Sequence, residues 1–294
     1  MDKKIAIIIL NFNSYKETKK LVESIKKHEK KSIYDIIIVD NSVDDKERIK
    51  IKEIKCTYKL FLNENLGYAS GNNTGIKFAL EKKQYDYFLI ANSDTEVIED
   101  DTIYNLCDAM EKYNAGVIGP QIIDADNKPT AGAGYINFIG KVKNVKCNEP
   151  RECQGLIGAF FIIKSDVINK CGIMNEKFFL YLEETDYFYR LWKSGVEILY
   201  YPKVEILHYG GTTTSKVYDF YITRNRFLLV KNNFKTPHIC MCLVLLCECI
   251  FTDLKQCLAC FFKLRNYDYK FRRVMRWKGL VAGFFGEEGK TMRI

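Results

Sequence analysis

The chain has 294 residues, 47% of them hydrophobic, and a formal net charge of +8. That is enough apolar material for one large domain plus an appendage, and it excludes a disordered chain. Eleven cysteines without a secretory context read as reduced thiols, and the one CxxC, Cys257–Cys260, lacks the second ligand pair of a zinc site.

The N-terminus, Met1-Asp-Lys-Lys, leads into an apolar run too short to cross a bilayer, with no small-residue cleavage site behind it. The folded part is therefore expected in the cytoplasm. Up to about residue 120 the pattern alternates strand and helix with short connections, as a parallel sheet with crossover helices requires. The predicted strands are 5–11, 35–40, 57–62 and 86–91, and the predicted helices lie near 15–28, 69–82 and 101–113. Residues 124–152 are polar, contain Pro129 and Pro150 and carry Ala131-Gly-Ala-Gly134, so they read as an excursion or loop. An apolar segment, Leu156 to Lys164, and a helix from about 184 to 194 follow. Helices near 218–232, 239–262 and 267–283 make up a C-terminal appendage, and no internal repeat is apparent.

Three strand ends close on polar residues: the first on Asn11, the second on Asp40-Asn41-Ser42, and the run from Tyr87 on Asn92-Ser93-Asp94. Such ends meet in the crevice at the carboxyl edge of an open α/β sheet, where ligands bind. One such residue alone more often caps a helix or makes a turn; three in succession favour a site. Asn65-Leu-Gly67-Tyr-Ala-Ser-Gly71-Asn72-Asn73-Thr-Gly75 opens a helix. Its glycines sit four apart, which puts Gly71 and Gly75 on one face for close packing on the sheet, while Asn72 and Asn73 can meet an anionic ligand at a helix start. Glu183-Glu184-Thr-Asp186 is an acidic first turn that the dipole favours, but the aromatic approach Phe178–Tyr181 sets it against an apolar wall, where burial raises a carboxylate towards the range of a base.

The ordered series NFN, VDNS, NxGxxxGNNxG, NSD, EExDxxxR and HxGG, spread over roughly residues 4–232, resembles the GT-A glycosyltransferases of family 2, particularly the rhamnosyltransferase-like branch that builds bacterial polysaccharides. The resemblance implies an α/β GT-A (Rossmann-like) fold: a mixed, mostly parallel sheet flanked by helices, with a C-terminal helical appendage. The catalytic domain would be 1–216, with a nucleotide-sugar half of about 1–120 and an acceptor half of about 121–216, and the appendage 217–294. It also implies inverting transfer from a nucleotide-sugar donor, dTDP-rhamnose or a UDP-sugar, to a glycan or lipid-linked acceptor. Asp40 would take the imide N–H of the base, with Asn11, Asn41, Gly67, Asn72, Asn73, Asn92 and Ser93 lining the donor pocket. Asn92-Ser93-Asp94 resembles a DxD motif with asparagine at its first position; Asp94 and His208 would hold Mn2+ or Mg2+. Glu184 stands where the branch usually has an aspartate base, with Asp186 as runner-up and Glu183 in the same turn. Arg224, in Arg224-Asn225, would clamp a phosphate with its planar fork, the alternative being an ordinary surface arginine.

Two other classes compete. A nucleotidyltransferase favours a basic, glycine-rich loop after its first strand, which Asn11-Phe-Asn-Ser14 does not supply. A catalytically silent scaffold would keep the sheet and lose the site. In the appendage, the apolar run Ile239–Cys247 is interrupted by Glu248, Asp253 and Lys255 before it could span a bilayer. The cations Lys263, Arg265, Lys270, Arg272, Arg273, Arg276 and Lys278, interleaved with Tyr267, Tyr269, Phe271 and Trp277, suit peripheral contact with anionic lipid on the inner face of the plasma membrane rather than nucleic acid. The competing role for these helices is a homodimer interface or a core helix.

Overall fold

The computed structural model describes residues 3–130, 132–210, 217–261 and 269–291. Ala131, Gly211, Lys263, Arg265 and Tyr267, together with the side chains of Cys260 and Tyr269, lie outside the described residues.

Apolar runs set the frame. β1 (Lys4–Asn11), β2 (Ile33–Asp40), β3 (Tyr58–Phe61) and β4 (Tyr87–Asn92) pair in parallel in the order β3-β2-β1-β4. They are joined by α1 (Tyr15–His28), α2 (Asp45–Glu53) and α3 (Gly67–Lys82). Alternate strand residues point to opposite faces. β1 therefore gives Ile5, Ile7 and Ile9 to one apolar layer with Leu21 and Ile25 of α1, and Ala6 and Ile8 to the other with Ile76 and Ala79 of α3. Burial on both faces is why these strands read as unbroken apolar runs. Gly75 brings α3 down onto Ile8 and Val39, the close packing its spacing predicts.

Beyond β4 the sheet becomes mixed. The chain continues through β5 (Thr95–Val97), α4 (Thr102–Lys112), β6 (Val117–Ile123), β7 (Ala133–Ile136), β8 (Val142–Val145), β9 (Arg151–Glu152), β10 (Phe160–Lys164), α5 (Ser165–Cys171), α6 (Glu183–Lys193) and β11 (Ile198–His208). β10 inserts antiparallel between β4 and β6, β11 runs parallel to β6, and β5 and β9 pair antiparallel with β11. The stretch 124–152 is more ordered than its polar composition predicts: β7 and β8 form a hairpin and β9 joins the main sheet. α2 is absent from the predicted elements because only Ile51 of its residues is buried, so no apolar period marks it; Asp44 caps it by accepting from the Lys46 N–H at 3.0 Å.

α7 (Tyr218–Asn233), α8 (His238–Phe261) and α9 (Tyr269–Phe284) complete the chain. α9 lies along α7, sharing an apolar cluster in which Phe220 and Tyr221 meet Met275 and Ala282. The same cluster includes Phe179, from the segment that leads into α6. Among the described residues no helix is long and apolar enough to cross a membrane.

Candidate active site

Register brings the polar strand ends together: Asn11 pairs with Asp40, and Leu10 with Asn92. Asn11 is fully buried and saturated. Its amide nitrogen donates to Asp40 Oδ1 at 2.8 Å and Ser42 Oγ at 3.1 Å, and its oxygen accepts from Ser14 and Thr18 hydroxyls. Asp40 Oδ1 also accepts from the Ser42 N–H at 3.0 Å, while Asp40 Oδ2 is buried and has no partner among the described residues. A buried carboxylate oxygen without a donor is costly unless a ligand supplies one. Ser93 meets Ser14 across the crevice, hydroxyl to hydroxyl at 2.9 Å.

Asp94 sits in the turn from β4 to β5. Because β5 pairs antiparallel with the end of β11, Thr95 lies opposite His208. Asp94 Oδ1 and His208 Nε2 are 3.2 Å apart, both partly exposed. Gly210 lies against the imidazole, where a Cβ would overlap the ring. For a six-coordinate divalent ion with bonds of about 2.1 Å, neighbouring ligand atoms are about 3 Å apart, so this pair fits one edge of such a shell. Among the described residues no group of three or more His, Cys, Asp or Glu side chains is placed to hold a metal. A shell built on Asp94 and His208 therefore needs oxygens from phosphate and water.

Tyr68, in the first turn of α3, links this corner to the acidic turn of α6. Its hydroxyl donates to the Gly158 carbonyl at 2.6 Å, and burial together with the nearby charges of Glu184, Glu183 and Asp94 pushes its pKa well above the ordinary range. Gly158 backs onto Glu184: a Cβ there would lie 2.5 Å from Glu184 Cγ. Burial raises the Glu184 carboxyl, opposed by backbone N–H groups of the helix start. Glu183 is almost fully buried, its Oε2 has no partner among the described residues, and burial plus the neighbouring Glu184 charge hold its carboxyl far above the usual range.

Several expected donor contacts are occupied by the fold instead. Asn41 donates to the Gly67 carbonyl at 2.9 Å, tying the end of β2 to the start of α3. Asn73 is taken by the fold: it is buried and exchanges hydrogen bonds with the Met174 backbone, with the Glu176 carboxylate as a further acceptor. Asn72 is equally buried; its amide nitrogen bonds the Tyr68 carbonyl at 3.1 Å, while its Oδ1 has no partner among the described residues. Asp186 is fully buried, with one oxygen on Arg190 and the other on Asn233, so both are taken. Arg224 is neither a surface residue nor a phosphate clamp. It is fully buried, and its guanidinium donates to the Phe178 and Gly289 carbonyls and to Asn225 Oδ1. In place of these the structure brings in Tyr68 and Gly158, which sequence reasoning missed; the glycine-rich helix start pointed to the region, but not to the tyrosine.

The model of glycosyl transferase family 2 matches residues 6–172, more than half of the chain. Similar proteins include the hexosyltransferase Agl10 of low-salt glycan biosynthesis from Haloferax volcanii, 27% identical over 76% of this chain and 74% of that protein. The dTDP-rhamnosyl transferase RfbF of Shigella flexneri is 24% identical over 79% of this chain and 82% of its own. Among solved structures, the mannosyltransferase PcManGT of Pyrobaculum calidifontis, in complex with GDP-Man and Mn2+, superposes with a TM-score of 0.61 at 11% identity, covering 96% of this chain and 87% of that one. GalNAc-T7 with UDP, GalNAc and Mn2+ gives 0.58 at 16% identity over 75% of this chain, which spans 47% of the GalNAc-T7 chain. Likeness at such identity shows the fold, which is GT-A. A family match over most of the sheet excludes the nucleotidyltransferase reading, and the protein belongs to glycosyl transferase family 2 and is a glycosyltransferase.

Proposed function

We propose that the enzyme is an inverting, metal-dependent transferase that moves a sugar from a nucleoside diphosphate, dTDP-rhamnose or a UDP-hexose, to a hydroxyl of a glycan or lipid-linked acceptor in cell-surface polysaccharide synthesis. The observation that carries this reading is the placement of Tyr68: its hydroxyl donates to the carbonyl of Gly158, which packs against Glu184, and burial followed by the nearby charges of Glu184, Glu183 and Asp94 raises its pKa, so that the donor and base corners share one crevice. Asp40 Oδ2 accepts the imide N–H of uracil or thymine, with Asn11 and Ser42 fixing the carboxylate. Asp94 and His208 would hold Mn2+ or Mg2+, which when bound would supply positive charge against the departing diphosphate. Glu184 removes the acceptor proton as the acceptor oxygen bonds to the anomeric carbon. The bond from that carbon to phosphate oxygen breaks on the opposite face, and its electron pair leaves with the diphosphate. With Asn92 in place of a second carboxylate, a metal held there would depend on the nucleotide for much of its binding. The test is a panel of UDP-, dTDP- and GDP-sugars with Mn2+ or Mg2+, read as the nucleoside diphosphate released. Release from a pyrimidine donor is expected; release from none, or from a GDP-sugar alone, overturns the donor assignment.

The appendage supports a peripheral site of action on anionic membrane. Glu248 and Asp253 turn inward, Glu248 to Arg226 at 2.5 Å and Asp253 to Arg276 at 2.7 Å and the Trp277 indole at 2.8 Å. The outward face of α8 is left with Ile239, Leu243, Ile250, Phe251, Leu254 and Leu258 exposed and no carboxylate. On α9 and α7, a groove of about 1110 Å³ places Phe220, Trp277 and Val281 beside three cations, Lys270, Arg273 and Lys278, and one carboxylate, Glu287. An apolar face beside cations matches the boundary between acyl chains and anionic headgroups.

A further inference from the structure

We propose that Arg224 and Asn225 are positioning residues of the transfer site, holding the turn 178–182 in the one conformation that presents Glu184; this rests on the reading of Glu184 as the base. The turn is unusual. Phe179, Tyr181 and Leu182 all have left-handed backbones, at φ 66°, 68° and 70°, and Leu182 is the residue immediately ahead of α6. Bulky residues with side-chain branching adopt that region only when their surroundings over-determine it.

The surroundings here are largely two side chains of α7. The Asn225 amide nitrogen donates to the carbonyls of Leu180 at 2.8 Å and Tyr181 at 2.7 Å, with a longer contact of 3.1 Å to Phe178. Arg224 Nη2 donates to the same Phe178 carbonyl at 2.6 Å, and Arg224 Nε donates to Asn225 Oδ1 at 2.7 Å, which fixes which way the amide faces. The remaining carbonyl, that of Phe179, accepts from the Tyr68 N–H at 2.8 Å. Every carbonyl from Phe178 to Tyr181 is thus received, three of them by this pair. Burial lowers the Arg224 pKa only to about 10, so the guanidinium stays charged at neutral pH, stacked 4.8 Å from the centre of the Tyr221 ring.

Neither side chain reaches the donor corner, so the pair acts through the carboxylates it aims. Losing it should lower turnover and leave nucleotide binding intact. The test is a double-mutant cycle of Asn225→Ala and Glu184→Gln. Turnover is read as nucleoside diphosphate released from dTDP-rhamnose and from UDP-glucose, and donor-site integrity as binding of dTDP and UDP with Mn2+. Asn225→Ala should lower kcat at least thirtyfold with KM for donor and nucleotide binding within about twofold, displace the acid limb of the kcat–pH profile, and cost less than threefold once Glu184 is already Gln. Asn225→Ser, whose hydroxyl can still donate to one carbonyl, should recover part of the loss. Equal losses with and without Glu184, an unmoved pH profile, or a failure of both Asn225 variants to fold would each overturn the proposal. Normal turnover by Glu184→Gln alone would instead remove the base, and this inference with it.

Discussion

Two adjacent glutamates differ in task because they differ in surroundings. Glu183 is buried beside a like charge, and both raise its carboxyl well above the ordinary glutamate range and favour its neutral form, so Glu183→Gln is close to an isosteric replacement of that form. Its kcat should stay within about threefold of the parent, whereas Glu184→Gln, which removes the proton acceptor, should lose about a hundredfold or more. Parallel steady-state assays of the two variants decide this; a large loss in Glu183→Gln with little in Glu184→Gln would exchange their roles. The raised Glu184 carboxyl also sets the pH response. The active carboxylate fills in only above the ordinary glutamate value of about 4.3, so kcat should climb with pH along a limb displaced upward from there. For stability the sign is the reverse. The folded chain holds the Glu183 proton more tightly than the unfolded chain does, so this contribution is complete below the unfolded pKa and is lost as pH rises towards the folded one. The Tm advantage of Glu183→Gln over the parent should therefore widen as pH increases. Gly158 offers a further residue-scale check, since a methyl there must displace Glu184. Gly158→Ala should cut kcat about tenfold or more, with nucleoside diphosphate binding by calorimetry preserved.

The turn ahead of α6 joins several elements. Left-handed residues of this kind cost on the order of 1–3 kcal/mol each, offset by hydrogen bonds worth about 0.5–1.5 kcal/mol apiece and more from a guanidinium. α3 contributes from its own strained start. Gly67 has φ 85°, and a Cβ there would overlap the Phe179 carbonyl oxygen. Gly67→Ala is expected to destabilise the protein by about 2 kcal/mol or more in urea unfolding, because the left-handed backbone and the overlap both penalise a side chain. A change under about 0.5 kcal/mol would show that this contact carries no strain. Such joints explain what the sequence could and could not reveal. β1, β2 and β4, and the polar residues that close them, were legible because burial on two faces writes a local apolar run and register then follows. The position of β10 between β4 and β6 is a long-range pairing that no local period encodes. For the same reason His208 could be matched by motif, but its place beside Asp94 depends on β5 pairing with β11. Arg224 reads as a phosphate clamp and Asp186 as a runner-up base in sequence; only packing against residues tens of positions away shows both to be enclosed and their polar atoms taken.

At the scale of the whole molecule, the charge excess and the apolar helix face meet in the C-terminal region. The protein should float with liposomes containing anionic phosphatidylglycerol, less so as salt rises, since each cation near such a surface contributes about 1 kcal/mol and is screened within a Debye length. Phe251 and Leu254 are 70% and 59% exposed, so Phe251→Asp with Leu254→Asp should abolish flotation with little change in Tm. Undiminished flotation of the double variant would remove α8 from the contact. A parent protein that sediments as a dimer and a variant that does not would identify a second copy as the partner of this face. Catalysis by the crevice is the central claim, and metal dependence tests it most directly. With the donor that the panel identifies, protein stripped by chelator should release no nucleoside diphosphate and should recover with Mn2+ or Mg2+. Asp94→Ala, with an unchanged Tm, should not recover at any metal concentration that restores the parent. Full turnover in chelator, or by a folded Asp94→Ala protein, would contradict the account.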